Sequence, residues 1–140
     1  MPTVLVYSSD TGVRERVLMS VGRRPDPELS AIEWVEAAEG QQVVHAADRG
    51  GIDLCILDAE AAPTGGMGIS RQLKNEIRNC PAILLLVGRR DDAWLARWSL
   101  ADAVVLHPAD PLFLTETVVR LLRNQADLVP ASATGGPDHP

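Results

Sequence analysis

The sequence predicts an α/β fold, a doubly wound five-stranded parallel sheet with five helices, because five apolar, strand-like runs alternate with five helical patterns. Two further observations agree with this. The apolar fraction is 46% with only 4% aromatic, which suits a core of Val, Leu, Ile and Ala packed between helices and a sheet. At 140 residues the chain is also long enough for one domain to bury a core without disulfides or structural metal.

The elements follow in order. Thr3 to Tyr7 is a β-branched apolar run that ends at Ser8-Ser9-Asp10-Thr11-Gly12, a strand leading into a loop. Asp10 is a suitable N-cap for a first helix, with Val13, Val17, Leu18 and Val21 on one face and Gly22 as its stop. Pro25 and Pro27 break the chain before a second strand, Ala31 to Ala37, and Gly40 precedes a helix carrying Val43, Val44 and Ala47. Trp34, near a sheet edge, is expected beneath the second helix or the Pro-rich loop.

Asp53 to Asp58 is a third apolar run closed by a carboxylate. Pro63 to Gly68 reads as a glycine-rich loop before a helix bearing Ile69, Leu73 and Ile77, and Pro81 to Val87 is a strand buried on both faces. A helix is expected from about Asp91 to Leu100, then a fifth strand at Ala103 to Leu106 leaving through His107-Pro108. Asp110-Pro111, an N-cap followed by proline at N1, opens a last helix through about Arg123. The domain is expected over residues 1–125, with 126–140 a disordered tail rich in Ala, Ser, Thr, Gly and Pro.

Composition excludes several functions. A net charge of −6 argues against nucleic-acid binding, which draws on cations placed against phosphates. No secretory signal or run of eighteen apolar residues occurs, so a cytoplasmic protein without membrane insertion is expected. Cys55 and Cys80 form no CxxC pair and are expected as free, buried or half-buried thiols, while His45 and His139 are too isolated for a metal site. Lys74 is the sole lysine among thirteen basic residues, an arginine skew consistent with a GC-rich genome. Gly65, Gly66 and Gly68 lack the lysine and spacing of a phosphate-binding loop.

Doubly wound sheets carry their functional groups beyond the carboxyl ends of the strands. There the chain places Ser8, Ser9 and Asp10, then Asp58 to Gly68, Leu86 to Arg90, and His107-Pro108. The strand-end Asp58, the Pro and Gly after it, the segment Ala101 to Pro111 and the order of elements together resemble the receiver domain of bacterial two-component response regulators, over Val4 to Arg123. The resemblance implies strand order 2-1-3-4-5 in the receiver, or flavodoxin-like, arrangement, and makes Asp58 the candidate phospho-acceptor.

Receiver phosphorylation uses a carboxylate nucleophile, Mg²⁺, a lysine and a hydroxyl that binds the product phosphate. Against that pattern this chain is degenerate. The acidic pair that holds the metal falls on Ser8 and Ser9, the hydroxyl position on Leu86, the lysine on His107 and the aromatic switch on Val104. Each carboxylate near a divalent ion contributes about 8 kcal/mol before desolvation, at 4 Å and an effective dielectric of about 20. A metal site is therefore expected to be weak or absent, built from Asp58 with either Asp10, the nearest substitute, or Glu60 in the next loop. His107 can donate one hydrogen bond to Asp58 or simply end its strand. Pro63 lies five residues after Asp58 where the family has four, so the loop over the site carries an insertion.

The expected function is that of an atypical, stand-alone receiver acting in signal transduction by protein–protein contact, with phosphorylation at Asp58 impaired or absent. One alternative is a functional single-domain response regulator, phosphorylated on Asp58 by a sensor histidine kinase; another is a flavodoxin-like small-ligand binder. No catalytic triad can be placed at the strand ends, so no enzyme activity beyond self-phosphorylation is expected. Trp94 and Trp98, four apart on the fourth helix beside Leu95, Ala96 and Leu100, both help cover the sheet or mark a protein interface. The fourth helix, fifth strand and fifth helix are the surface by which receivers commonly meet partners or a second copy.

Overall fold

A parallel sheet in the order β2-β1-β3-β4-β5 organises the chain. In this computed structural model the strands are β1 (Thr3–Tyr7), β2 (Glu33–Ala37), β3 (Leu54–Asp58), β4 (Ala82–Val87) and β5 (Ala103–Leu106). The helices are α1 (Thr11–Val21), α2 (Gly40–Arg49), α3 (Gly66–Glu76), α4 (Leu95–Ser99) and α5 (Pro111–Ala133), with a 3₁₀ turn at Arg90–Trp94 before α4. The structure describes residues 1–133; residues 134–140, with His139 and the end of the expected tail, lie outside the described residues, as do the side chains at 91, 93, 95, 96 and 125–133.

Alternation along each strand sends side chains to two cores. Val4, Val6, Leu54, Ile56, Leu84, Leu86 and Val105 face α1 and α5, where Val13, Val17, Leu114 and Val118 meet them. Leu5, Tyr7, Cys55, Leu57, Ile83, Leu85 and Val87 face α2 and α3, meeting Val43, Ala47, Ile69 and Leu73. The central strands β3 and β4 are buried along their whole length, as parallel strands covered on both faces must be.

Asp10 caps α1, its Oδ1 accepting from Gly12 N at 2.8 Å, and Gly22 ends the helix at φ 72°. Asp110 plays the first role for α5, with Leu112 N at 3.0 Å. Trp34 packs against the α1 and α5 core and donates from Nε1 to Gly22 O at 3.0 Å, so its place is by the Pro-rich loop rather than under α2. Arg123 pairs with Asp26 at 2.6 Å, pinning α5 to that same loop.

Besides one-residue trims at the starts of β3 and β4, four boundaries differ from expectation. β2 begins at Glu33 because the Ile32 amide is taken by Arg23 O at 2.6 Å. α3 begins at Gly66, inside the stretch expected as loop, since Gly65 and Gly66 press onto the end of β3: a Cβ would lie 2.8 Å from Ala59 O and 2.9 Å from Asp58 O respectively. The fourth helix splits into the 3₁₀ turn and a five-residue α4 ended by Leu100 at φ 67°. α5 continues past Arg123 to Ala133, consistent with residues 124–129 containing neither Gly nor Pro.

The short α4 leans on α3 rather than on the sheet. Ser70 Oγ donates to Ser99 O at 2.8 Å, and Arg71 donates to Trp98 O at 2.6 Å while its guanidinium stacks 5.0 Å from the Trp98 ring. Trp94 and Trp98 are thereby 70% and 51% exposed, which corrects the expectation that they cover the sheet.

Both cysteines are free, Cys55 buried and Cys80 half-buried. Burial pushes the Cys55 thiol up to about 12 and raises that of Cys80 as well. At pH 8 Cys55 should therefore be inert to Ellman's reagent in the folded protein and Cys80 slow, with both reacting in guanidinium; rapid titration of two thiols under native conditions would contradict this packing.

Candidate functional site

Sheet register brings the site together. β1 and β3 are neighbours with Tyr7 opposite Leu57, so Ser8 and Asp58 emerge side by side, and Leu86 on β4 lies opposite Asp58. Asp58 is only 5% exposed, and a carboxylate so placed must have its lone pairs satisfied by donors. Ser8 Oγ donates to Oδ2 at 2.8 Å, and Glu60 N donates to Oδ1 at 2.8 Å. Ser8, fully buried, also accepts from Asp10 N at 3.0 Å. The hydroxyl thus links the start of α1 to the acid.

The other site residues fall around this pair. Ser9 turns to the loop beyond β3, its Oγ accepting from Ala62 N at 3.2 Å. Asp10 spends Oδ1 on the α1 cap. The Glu60 side chain reaches across to the exit of β4, where Oε2 accepts from Gly88 N at 3.4 Å. Leu86 is buried in the apolar cluster with Val105, Leu114 and Val118, which leaves no hydroxyl in that position. The His107 amide donates to Val87 O at 2.8 Å, and the residue is among those lining a groove of about 400 Å³ with Arg16, Val17, Met19 and Pro108. Among the described residues no hydrogen bond joins His107 to Asp58, in contrast to the bond considered from the sequence.

Charge is sparse in the crevice. Lys74 lies at the opposite pole, bonded to Asp102 at 2.8 Å beside the start of β4. Among the described residues no group of three or more His, Cys, Asp and Glu side chains has the geometry to hold a metal ion. Among the described residues Asp58 is the one buried carboxylate. Its oxygens already take the Ser8 hydroxyl and the Glu60 amide, whereas Mg²⁺ takes one or two carboxylates and keeps several waters.

Two residues beside the site went unmarked in the sequence. Tyr7 is buried and donates its hydroxyl to Thr64 O at 2.5 Å, anchoring the loop between β3 and α3; burial first, and then the charge of Asp58, raises its pKa. Arg14 donates to Ser8 O at 2.5 Å and pairs with Glu36 at 3.0 Å, so this cation braces the turn after β1. The only available signals were an aromatic as the last residue of a buried strand and a cation one turn into the helix after it.

No family model matches the sequence. An uncharacterized response regulatory protein of Mycobacterium tuberculosis is 55% identical over 123 residues, which cover 88% of this chain and 92% of that protein, and the same protein recurs in a second strain of the species. The receiver domain of a Francisella response regulator superposes with a TM-score of 0.74 at 16% identity, covering 89% of this chain and 98% of that one. A Thermotoga maritima response regulator solved with Mg²⁺ and BeF gives 0.72 at 23% identity, covering 86% and 99%. At these identities the structures share a fold with this chain.

The hydroxyl–carboxylate pair has a measurable consequence. Ser8→Ala strips one donor from a buried acid and should lower stability by about 1–3 kcal/mol, read from urea denaturation. A loss below about 0.5 kcal/mol would mean that Asp58 does not depend on Ser8.

Proposed function

Because the chain belongs to the response regulator receiver family, a signal-transduction module, we propose that it is an atypical member that works through protein–protein contact with phosphorylation of Asp58 impaired or absent. The observation that carries this reading is the Ser8–Asp58 hydrogen bond at 2.8 Å: a neutral hydroxyl stands where receivers place a metal-binding acid, and it occupies the acceptor's own oxygen. Leu86, buried among apolar side chains, offers no hydroxyl to a phosphoryl group, and His107 is among the residues lining the groove by α1. On this reading Mg²⁺ does not fit the donor set, no cofactor is bound and no catalysis is carried out.

The contact surface is assigned to Trp94, Trp98 and Leu100, with Leu106 and Phe113, because each of these large apolar groups is exposed, on the 3₁₀ turn, α4, the residue that ends it, β5 and the start of α5 respectively. Its occupant is a protein: a sensor histidine kinase, a downstream effector or a second copy. Nucleic acid is disfavoured by the −6 net charge. No described helix is long and apolar enough to cross a membrane, and a cytoplasmic location belongs to the same proposal.

The alternative, a functional single-domain response regulator, is favoured by one observation. The Glu60 amide already points at Asp58 Oδ1 from 2.8 Å, and such a donor also suits a phosphoryl oxygen.

Backbone NMR in millimolar Mg²⁺ with acetyl phosphate or beryllofluoride separates the two. No shifts around Asp58 are expected; shifts abolished by Asp58→Asn would establish the alternative instead. Ser8→Asp combined with Ser9→Asp should strengthen Mg²⁺ binding about tenfold or more by restoring charge. Trp98→Ala should keep the fold while weakening partner capture or self-association about tenfold, and unchanged binding would remove the surface from the proposal.

A further inference from the structure

The exposed tryptophans do not stand on a neutral surface. Trp94 ends the 3₁₀ turn and Trp98 lies four residues on in α4, with Arg97 between them in sequence and Arg90 at the start of the turn. From α3, Arg71 donates through Nη1 to Trp98 O at 2.6 Å, and its guanidinium lies 5.0 Å over the Trp98 ring. Cation and aromatic therefore form one unit. That bond uses one of the five guanidinium donors and lies at the surface, so others can meet an incoming acceptor.

Charge here runs against the chain as a whole. Arg71, Arg89, Arg90 and Arg97 stand against Asp91 and Asp92, in a protein whose net charge is −6. Asp92 is already committed to Arg89 at 3.5 Å. Two further acids at the ends of the segment are engaged as well, Glu60 at Gly88 N, 3.4 Å, and Asp102 at Lys74, 2.8 Å. Among the described residues Arg90 and Arg97, both exposed, enter no ion pair.

We infer that the α4 patch docks an acidic segment of a partner protein, an apolar side chain packing on Trp94 and Trp98 while carboxylates meet Arg71 and Arg97. This rests on the reading of that surface as a contact site and names the chemistry of what it holds. A carboxylate and a guanidinium pair through charge-assisted, often bidentate hydrogen bonds, and the rings beside them exclude water. A second copy fits less well, because a two-fold contact sets the patch against itself, cation toward cation. Single-stranded nucleic acid supplies anions and flat rings too, but the net charge of −6 opposes it along the length it has to run.

The test lets the full chain choose its ligand. Random peptides of about twelve residues, displayed on phage, are selected on the immobilised protein, and the winners are synthesised and titrated by calorimetry. Asp and Glu beside Leu, Ile, Phe or Trp are expected in them, with affinity falling about tenfold between about 50 and about 500 mM salt. Arg97→Glu and Trp98→Ala, each shown to be folded by circular dichroism, should each weaken binding about tenfold. Neutral or basic winners, or none above background, would overturn the acidic partner. Loss in Trp98→Ala with full binding by Arg97→Glu also overturns it yet keeps the contact surface, whereas acidic winners that bind both variants unchanged take the surface away as well. A dimer that Trp98→Ala disperses in sedimentation would put a second copy there instead, and a thymidine oligonucleotide whose binding is lost in Arg97→Glu would put nucleic acid there.

Discussion

A carboxylate at the buried end of a central strand must be satisfied without bulk water, and the architecture at this end of the sheet follows from how Asp58 meets that demand. Its two oxygens take one hydroxyl and one amide, Ser8 Oγ and Glu60 N. Neither donor carries charge, so the local cost of burying the acid is met by hydrogen bonding alone. The Ser8 hydroxyl in turn receives the Asp10 amide, and Asp10 caps α1, so the acid, the turn after β1 and the first helix form one connected unit.

This arrangement depends on the parallel sheet. Order β2-β1-β3-β4-β5 puts the ends of β1, β3 and β4 next to one another, although their residues lie about fifty and twenty-eight positions apart in the chain. Each end then receives a brace from elsewhere. Tyr7 holds the loop after β3 through Thr64, Arg14 holds the turn after β1 through Ser8 O, and Gly65 and Gly66 let α3 start against the β3 backbone. The polar groups are thus held by a rigid frame of buried aliphatic side chains, with the apolar Leu86 making up the β4 wall.

The surface around α4 has a different origin. Because α4 is short and rests on α3 through Ser70 and Arg71, the sheet has no room to offer its tryptophans. Arg71 stacked on Trp98 fixes that ring in place while leaving half of it exposed, a preorganised aromatic of the kind that anchors protein interfaces.

Residue patterning along the chain was enough to specify the fold class, the five strands and helices in their order, the N-caps at Asp10 and Asp110, the free thiols, and which residue types stand at the strand ends. These are local facts: periodicity two or 3.6, capping chemistry and breakers act within a few residues of one another. The direction of the side chains came instead from packing between elements. Trp94 and Trp98 face solvent because α3, not the sheet, supports α4; His107 makes no hydrogen bond to Asp58 among the described residues; the Glu60 side chain crosses to Gly88. Each outcome depends on neighbours that are remote in sequence, and a pattern of residue types carries no record of the distances between them.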